Sequence, residues 1–143
     1  MRKWALLAII AAACSRNPSM GSSMTGAPSA RDAATMFVNA AKAQDLQAMG
    51  AVWGSTQGAS RDNMDREQLD RRLIILQPCY VSDRMQILEE SMGAAPTERR
   101  IRLQLTRGSR TKNIEFKAVR GPSNRWYVED VDYEELQADF CRG

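Results

Sequence analysis

Histidine is absent from all 143 residues, and this one absence removes whole classes of chemistry. Without an imidazole there is no Ser-His-Asp or Cys-His catalysis, no histidine-ligated metal and no ordinary near-neutral proton switch. Three cysteines are too few for a disulfide-dense toxin. Long apolar runs are missing too. The longest, the ten residues from Trp4 to Ala13, reaches about 15 Å as a helix, against a hydrocarbon thickness of roughly 30 Å. A multi-span membrane protein is therefore excluded, and 43% hydrophobic with 26% charged residues excludes a wholly disordered chain. The length allows one domain and not two.

What is present divides the chain into three parts: residues 1–13, 14–30 and 31–143. Arg2 and Lys3 form a positive n-region, Trp4 to Ala13 an apolar h-region, and Ala11-Ala12-Ala13 a small-residue site before Cys14. Small residues followed at once by cysteine resemble the lipobox of bacterial lipoproteins, with Ala11 where that family usually carries leucine. The resemblance implies a signal peptide cleaved before Cys14, a diacylglycerol thioether on Cys14, and multiple acyl chains that hold the protein at a membrane. It also implies the bacterial cell envelope as location. Ser15, which is not aspartate, permits transfer to the periplasmic side of an outer membrane where the cell has one. The alternative is an ordinary signal peptide that leaves Cys14 a free thiol.

With Cys14 committed to lipid, Cys79 and Cys141 are left as an even pair in an oxidising compartment. They are expected to form a disulfide, the alternative being two buried thiols. Neither lies in a C-x-x-C motif, which argues against a redox catalyst. Residues 15 to 30 contain nine Ser, Gly or Pro among sixteen and read as a flexible tether. Gly21 and Gly26 have the outer spacing of a phosphate loop, but Ala27-Pro28 stands where Lys-Ser/Thr is required, and no cofactor is expected.

Beyond the tether the apolar period is helical. Ser29 and Asp32 start a helix over 30–43 with Ala33, Met36, Phe37, Ala40 and Ala41 on one side. Asp45 caps a shorter helix bearing Leu46, Met49 and Trp53. Asp62 is expected to cap a third, with Leu69, Leu73 and Leu76 inward, a Glu67/Arg71 pair outward and Pro78 as its stop. After Pro78 the period turns toward two. Val81 to Leu88 is a weak strand, and Ile101, Leu103 and Leu105 mark a clear one. Ile114, Phe116 and Ala118 mark the next, and Gly121 to Asn124 turns the chain into Trp126 to Val131. Tyr133 to Phe140 would close the fold as a helix bringing Cys141 toward Cys79. Helices first and strands afterwards indicate α+β, with the helices packed on one face of an antiparallel sheet.

This order, with "Asp-Leu-x-x-Met" and a Trp early and "Trp-Tyr-Val-Glu-Asp-Val" late, is similar to the nuclear transport factor 2-like fold, a cystatin-like cone with a pocket between helices and curled sheet. The enzymes of that family use Asp, Tyr or His in the cone; histidine is lacking here and no motif locates the others, so a non-catalytic binding module is expected. Its occupant would be a small ligand, an envelope component or a partner protein. Trp53, Trp126, Phe37 and Phe116 would either line the pocket or fill the core. The alternatives are a degenerate cone enzyme with Asp130 or Asp132 as base, sharing one strand face near Tyr80, Tyr127 and Tyr133, and a structural accessory subunit of an envelope complex.

Charge is unevenly distributed. From Arg99 to Arg125 there are nine Lys or Arg against one acid, Glu115, whereas Trp126 to Phe140 has six acids and no base. Removing Arg2 and Lys3 lowers the formal charge from +3 to about +1. Arg100, Arg102, Arg107, Arg110, Lys112 and Lys117 form a candidate anionic-ligand surface, for lipid headgroups, glycans or an acidic partner. Equally, they can pair internally with the acidic last strand and helix. Export makes nucleic acid a poor partner. If the leader is a lipobox, palmitate fed to expressing cells labels the protein, and Cys14→Ser abolishes the label; a labelled Cys14→Ser variant would refute lipidation at this residue.

Overall fold

The computed structural model describes residues 24–142. The leader, Cys14 and the tether up to residue 23 lie outside the described residues. No helix among those described is long and apolar enough to cross a membrane. The elements run α1 Ala30–Lys42, α2 Leu46–Val52, β1 Gly54–Ser55, β2 Gly58–Ala59, α3 Ser60–Asn63, α4 Arg66–Leu76, β3 Arg84–Met92, β4 Glu98–Arg107, β5 Arg110–Arg120, β6 Trp126–Asp130 and α5 Tyr133–Leu136. Helices precede an antiparallel four-stranded meander of order β3-β4-β5-β6, so the fold is α+β with helices on one face of a curled sheet.

Local signals start the helices. The Ser29 hydroxyl accepts from the Asp32 amide at 3.1 Å, and Asp32 sits favourably at the positive end of α1. The Asp45 carboxylate takes the Ala48 amide at 3.0 Å and opens α2. α4 is capped one turn later than expected. Asp65 rather than Asp62 accepts from Gln68 at 3.1 Å, because residues 60–63 form the separate turn α3, which contains Asp62. Leu69, Leu73 and Leu76 do point inward, and Arg71 bonds Glu67 at 2.6 Å on the outside. On α1, Ala33, Ala34, Phe37, Val38 and Ala41 face the sheet, while Met36 lies on an exposed flank, 43% accessible. The small alanines let α1 lie close to the strands.

Ile101, Leu103 and Leu105 of β4 register against Phe116, Ile114 and Lys112 of β5, and all three are fully buried. Arg100, Arg102 and Gln104 alternate onto the outer face, as the period of two demands. β3 begins three residues later than the expected strand and runs on to Met92, because a 3-10 turn over Gln77–Tyr80 occupies the chain after Pro78. Register shifts at Ile87/Glu89 and at Lys117/Ala118 bend the sheet. α5 closes after one turn at Leu136 instead of continuing to Phe140, whose amide still reaches the Leu136 carbonyl at 3.0 Å.

The small β1–β2 hairpin was not legible in the sequence pattern, being two residues long on each side. A Cβ at Gly54 would come within 2.3 Å of the Gly58 carbonyl oxygen, so only glycine lets these strands approach. The folded unit also begins before residue 31. Ala27 is fully buried and exchanges two backbone hydrogen bonds with Trp126, at 2.8 and 2.9 Å, while Gly26 donates to Ala51. Arg125 fastens this strap by donating to the carbonyls of Thr25 and Gly26.

Cys79 and Cys141 are bonded across 62 positions, tying the tail after α5 to the turn after α4. Loop closure of that length is worth roughly 4 kcal/mol in the chain-entropy account. Cys79→Ser with Cys141→Ser should lower the melting temperature by roughly 15 °C in a domain of this size, and reductant should do the same to the native chain. Equal midpoints with and without reductant would contradict this contribution.

Candidate binding site

The space between helices and sheet is filled by rings. Phe37 from α1, Tyr80 from the 3-10 turn and Phe116 from β5 pack edge to face in a closed triangle, with centroids 5.2, 5.7 and 5.7 Å apart, and all three are fully buried. The Tyr80 hydroxyl donates to the Val131 carbonyl, satisfying the one polar atom of the cluster. Phe37 and Phe116 are therefore core. Trp126 lies at the rim of the sheet, and Trp53 borders a groove.

That groove lies between the last turn of α4 and the end of β6, with a volume of about 290 Å³. Trp53, Ile75, Leu76, Val131 and Tyr133 make its apolar wall; Arg72, Glu129 and Asp130 stand at its rim. Each wall is placed by a local cause. Trp53 ends α2 in an extended conformation, bridges Val128 of β6 and donates its indole N–H to the Glu129 carbonyl at 3.4 Å. Ile75 is outside because α4 carries Leu73-Ile74-Ile75-Leu76, four apolar residues in a row. Only Leu73 and Leu76 of these can face the core, which leaves Ile74 and Ile75 60% and 57% exposed. That run was the available signal for the groove. Val131 is held by Tyr80.

Asp130 and Asp132 do not share a strand face. β6 ends at Asp130, and Asp132 takes a left-handed backbone, φ 50°. Its carboxylate accepts the Glu115 amide at 3.0 Å, continuing the β5 ladder where β6 has stopped. The Asp132 amide in turn donates to Asp130 at 3.3 Å. Of the tyrosines, Tyr127 bonds Thr25 at 3.0 Å on the strap side of the sheet, and Tyr80 is committed to Val131. Among the described residues no group of three or more Cys, Asp or Glu gathers to hold a metal ion.

The six basic residues singled out in the sequence all have internal partners. On the outer sheet face Arg100 pairs with Glu115 at 2.7 Å, Arg102 with Glu89 at 3.1 Å and Lys117 with Glu129 at 3.4 Å. Such exposed pairs are screened by water and add little to stability. Lys112 reaches Asp139 at 3.7 Å, and Arg110 donates to the Asp139 carbonyl at 3.0 Å. Arg107 does something different. Its three nitrogens donate to the carbonyls of Val81, Phe140 and Pro78, each at 2.7 Å, while the guanidinium lies over the Phe140 ring. Partial burial, then the neighbouring Arg110, push it below the ordinary arginine value. It clamps the C-terminal tail beside the disulfide.

No family model matches the chain, and no curated protein matches it. Among solved structures it is similar to an NTF-2 like protein of unknown function from Shewanella oneidensis MR-1, at 15% identity, covering 68% of this chain and 89% of that one, with a TM-score of 0.42.

Burial pushes the Tyr80 hydroxyl well above the ordinary tyrosine value, with the Asp132 and Asp130 charges and Tyr133 acting in the same direction. A raised folded value means that the unfolded chain loses this proton first. The stabilisation is therefore full below about pH 10, the unfolded value, and lost as pH rises above it. Tyr80→Phe should flatten the alkaline fall of stability above about pH 10, as read from urea midpoints; an unchanged slope would remove Tyr80 as its source.

Proposed function

We propose that this is a lipid-anchored, non-catalytic binding domain of the bacterial cell envelope, taking a small ligand with an apolar body in the groove beside Trp53. The observation that carries it is the disposition of apolar surface. Rings fill the interior, whereas Trp53, Ile75 and Tyr133 leave an apolar cleft open at the surface, at the lower end of the volume that a small ligand fills. Arg72 and Asp130 at the rim supply charges of both signs to orient a polar end. The leader and Cys14 support the anchored location.

A second reading, a degenerate enzyme, draws on Asp130, whose exposed carboxylate stands at that rim. Asp132 supports it less, because its carboxylate is engaged by the Glu115 amide.

Native mass spectrometry of the protein extracted from its own membrane in mild detergent separates these readings. A reproducible small-mass adduct on an acylated chain, lost in Ile75→Asp with the melting temperature within a few degrees of native, is the expected result. A bare acylated monomer would overturn the ligand reading, and a larger assembly would replace it with an accessory-subunit role. Asp130→Asn should leave a deletion phenotype complemented; loss of complementation by the folded variant would favour the enzyme.

A further inference from the structure

Parity along the strands separates two sets of arginines. The even-numbered Arg100 and Arg102 lie on the outer face with acids, as described. Arg99 lies on the helix-side face, registered against Met92 of β3 on one side and Ala118 of β5 on the other. Arg120 registers against Trp126, on the same face two residues beyond Ala118. The result is a rim at one end of the sheet where two guanidiniums approach Trp126, Arg99 at 5.5 Å and Arg120 at 5.9 Å from the indole ring.

Neither arginine forms an ion pair among the described residues. Arg99 spends one nitrogen on the backbone carbonyls of Pro96 and Glu98. The nearest acid of this face on β3, Glu90, is taken by Arg31 at 2.8 Å. Met92, registered beside Arg99, is 62% exposed. A tryptophan and a methionine with two unneutralised guanidiniums present apolar surface and positive charge together, the combination suited to the headgroup level of an anionic bilayer.

The covalent connection points the same way. Trp126 is the residue to which the strap is pinned, through its paired hydrogen bonds with Ala27. About 13 residues separate Ala27 from Cys14, which reach at most about 45 Å when fully extended. A membrane anchor at Cys14 thus joins the fold at this rim and keeps it at high local concentration near lipid. We infer that the Arg99–Trp126–Arg120 rim is the membrane-facing surface of the domain and binds anionic phospholipid headgroups. The inference deepens the proposed function and rests on its lipid anchor for the orientation, while the rim's affinity is a property of the domain alone.

The test uses the mature chain from residue 14 with Cys14→Ser, so that no acyl chain contributes, in flotation with vesicles of phosphatidylcholine alone or with about 30% phosphatidylglycerol. Binding to the anionic vesicles is expected to weaken by roughly 20- to 30-fold in Arg99→Gln with Arg120→Gln, and to fall as salt is raised from about 50 to 300 mM. The same loss of two charges in Arg100→Gln with Arg102→Gln should leave it nearly unchanged. Equal affinity for neutral and anionic vesicles, or equal loss in both double variants, would overturn the proposal. Where the first double variant does not fold, Arg120→Gln alone, at an exposed position, carries the same comparison with about a 5-fold loss expected. The anchor is read separately: absence of palmitate on Cys14 with vesicle binding intact would overturn the anchor and leave the rim, and a labelled protein without lipid-selective binding would do the reverse.

Discussion

A tyrosine whose ring is enclosed by two phenylalanines and whose hydroxyl must still meet a backbone carbonyl has very few places to sit, and Tyr80 occupies one of them. Phe37 and Phe116 bring α1 and β5 against it, and its hydroxyl reaches the Val131 carbonyl just past β6. One side chain therefore joins helix layer, sheet and C-terminal segment. Leaving that hydroxyl unpaired in this interior would cost about 1–3 kcal/mol, so the position of Val131 follows from the packing of the rings. With three aromatic rings filling the middle of the interior, the apolar cleft lies on the outside, where Val131 and Tyr133 emerge beside Trp53.

The C-terminal tail is held by a second constraint of a different kind. Of the six acids between Trp126 and Phe140, Glu129 and Asp139 pair with Lys117 and Lys112 of the basic stretch that precedes them. Arg107 donates to three carbonyls, those of Pro78 in the 3-10 turn, Val81 just after it and Phe140 in the tail beyond α5. Lysine, with a compact ammonium in place of a planar fork, does not present its donors in that arrangement. The disulfide lies alongside, so tail and turn are linked by both covalent and hydrogen-bonded ties.

Alternation along β4 and β5 explains why a strongly basic stretch leaves few uncompensated cations. Adjacent residues point to opposite faces, so Arg99 and Arg100, neighbours in the chain, belong to different electrostatic environments. The outer face carries three separate exposed ion pairs, which compensate its cations while adding little to stability. At the inner rim Arg99 and Arg120 form no ion pair among the described residues; both lie near the Trp126 ring, and Arg99 also donates to the Pro96 and Glu98 carbonyls.

Local order was open to reading from the amino acids alone. The period of 3.6 to Leu76, the alternation at 101, 103 and 105 and the caps at Ser29 and Asp45 each act through neighbouring residues, and those parts of the α+β order stand in the structure, as does the bond between Cys79 and Cys141. Asp62 and Asp65 were harder to tell apart, since both precede the same leucines and only the α3 turn discriminates between them. Asp130 stands on β6 as expected, whereas Asp132 falls beyond it, because the strand stops past the bulge opposite Lys117 and the Asp132 carboxylate takes the Glu115 amide instead. The filled interior, the partners of Arg107 and the lack of an acidic partner for Arg99 and Arg120 among the described residues are likewise long-range facts. Each depends on which face, register and distance the completed sheet imposes on residues far apart in sequence, and a linear pattern carries no information about distance between its parts.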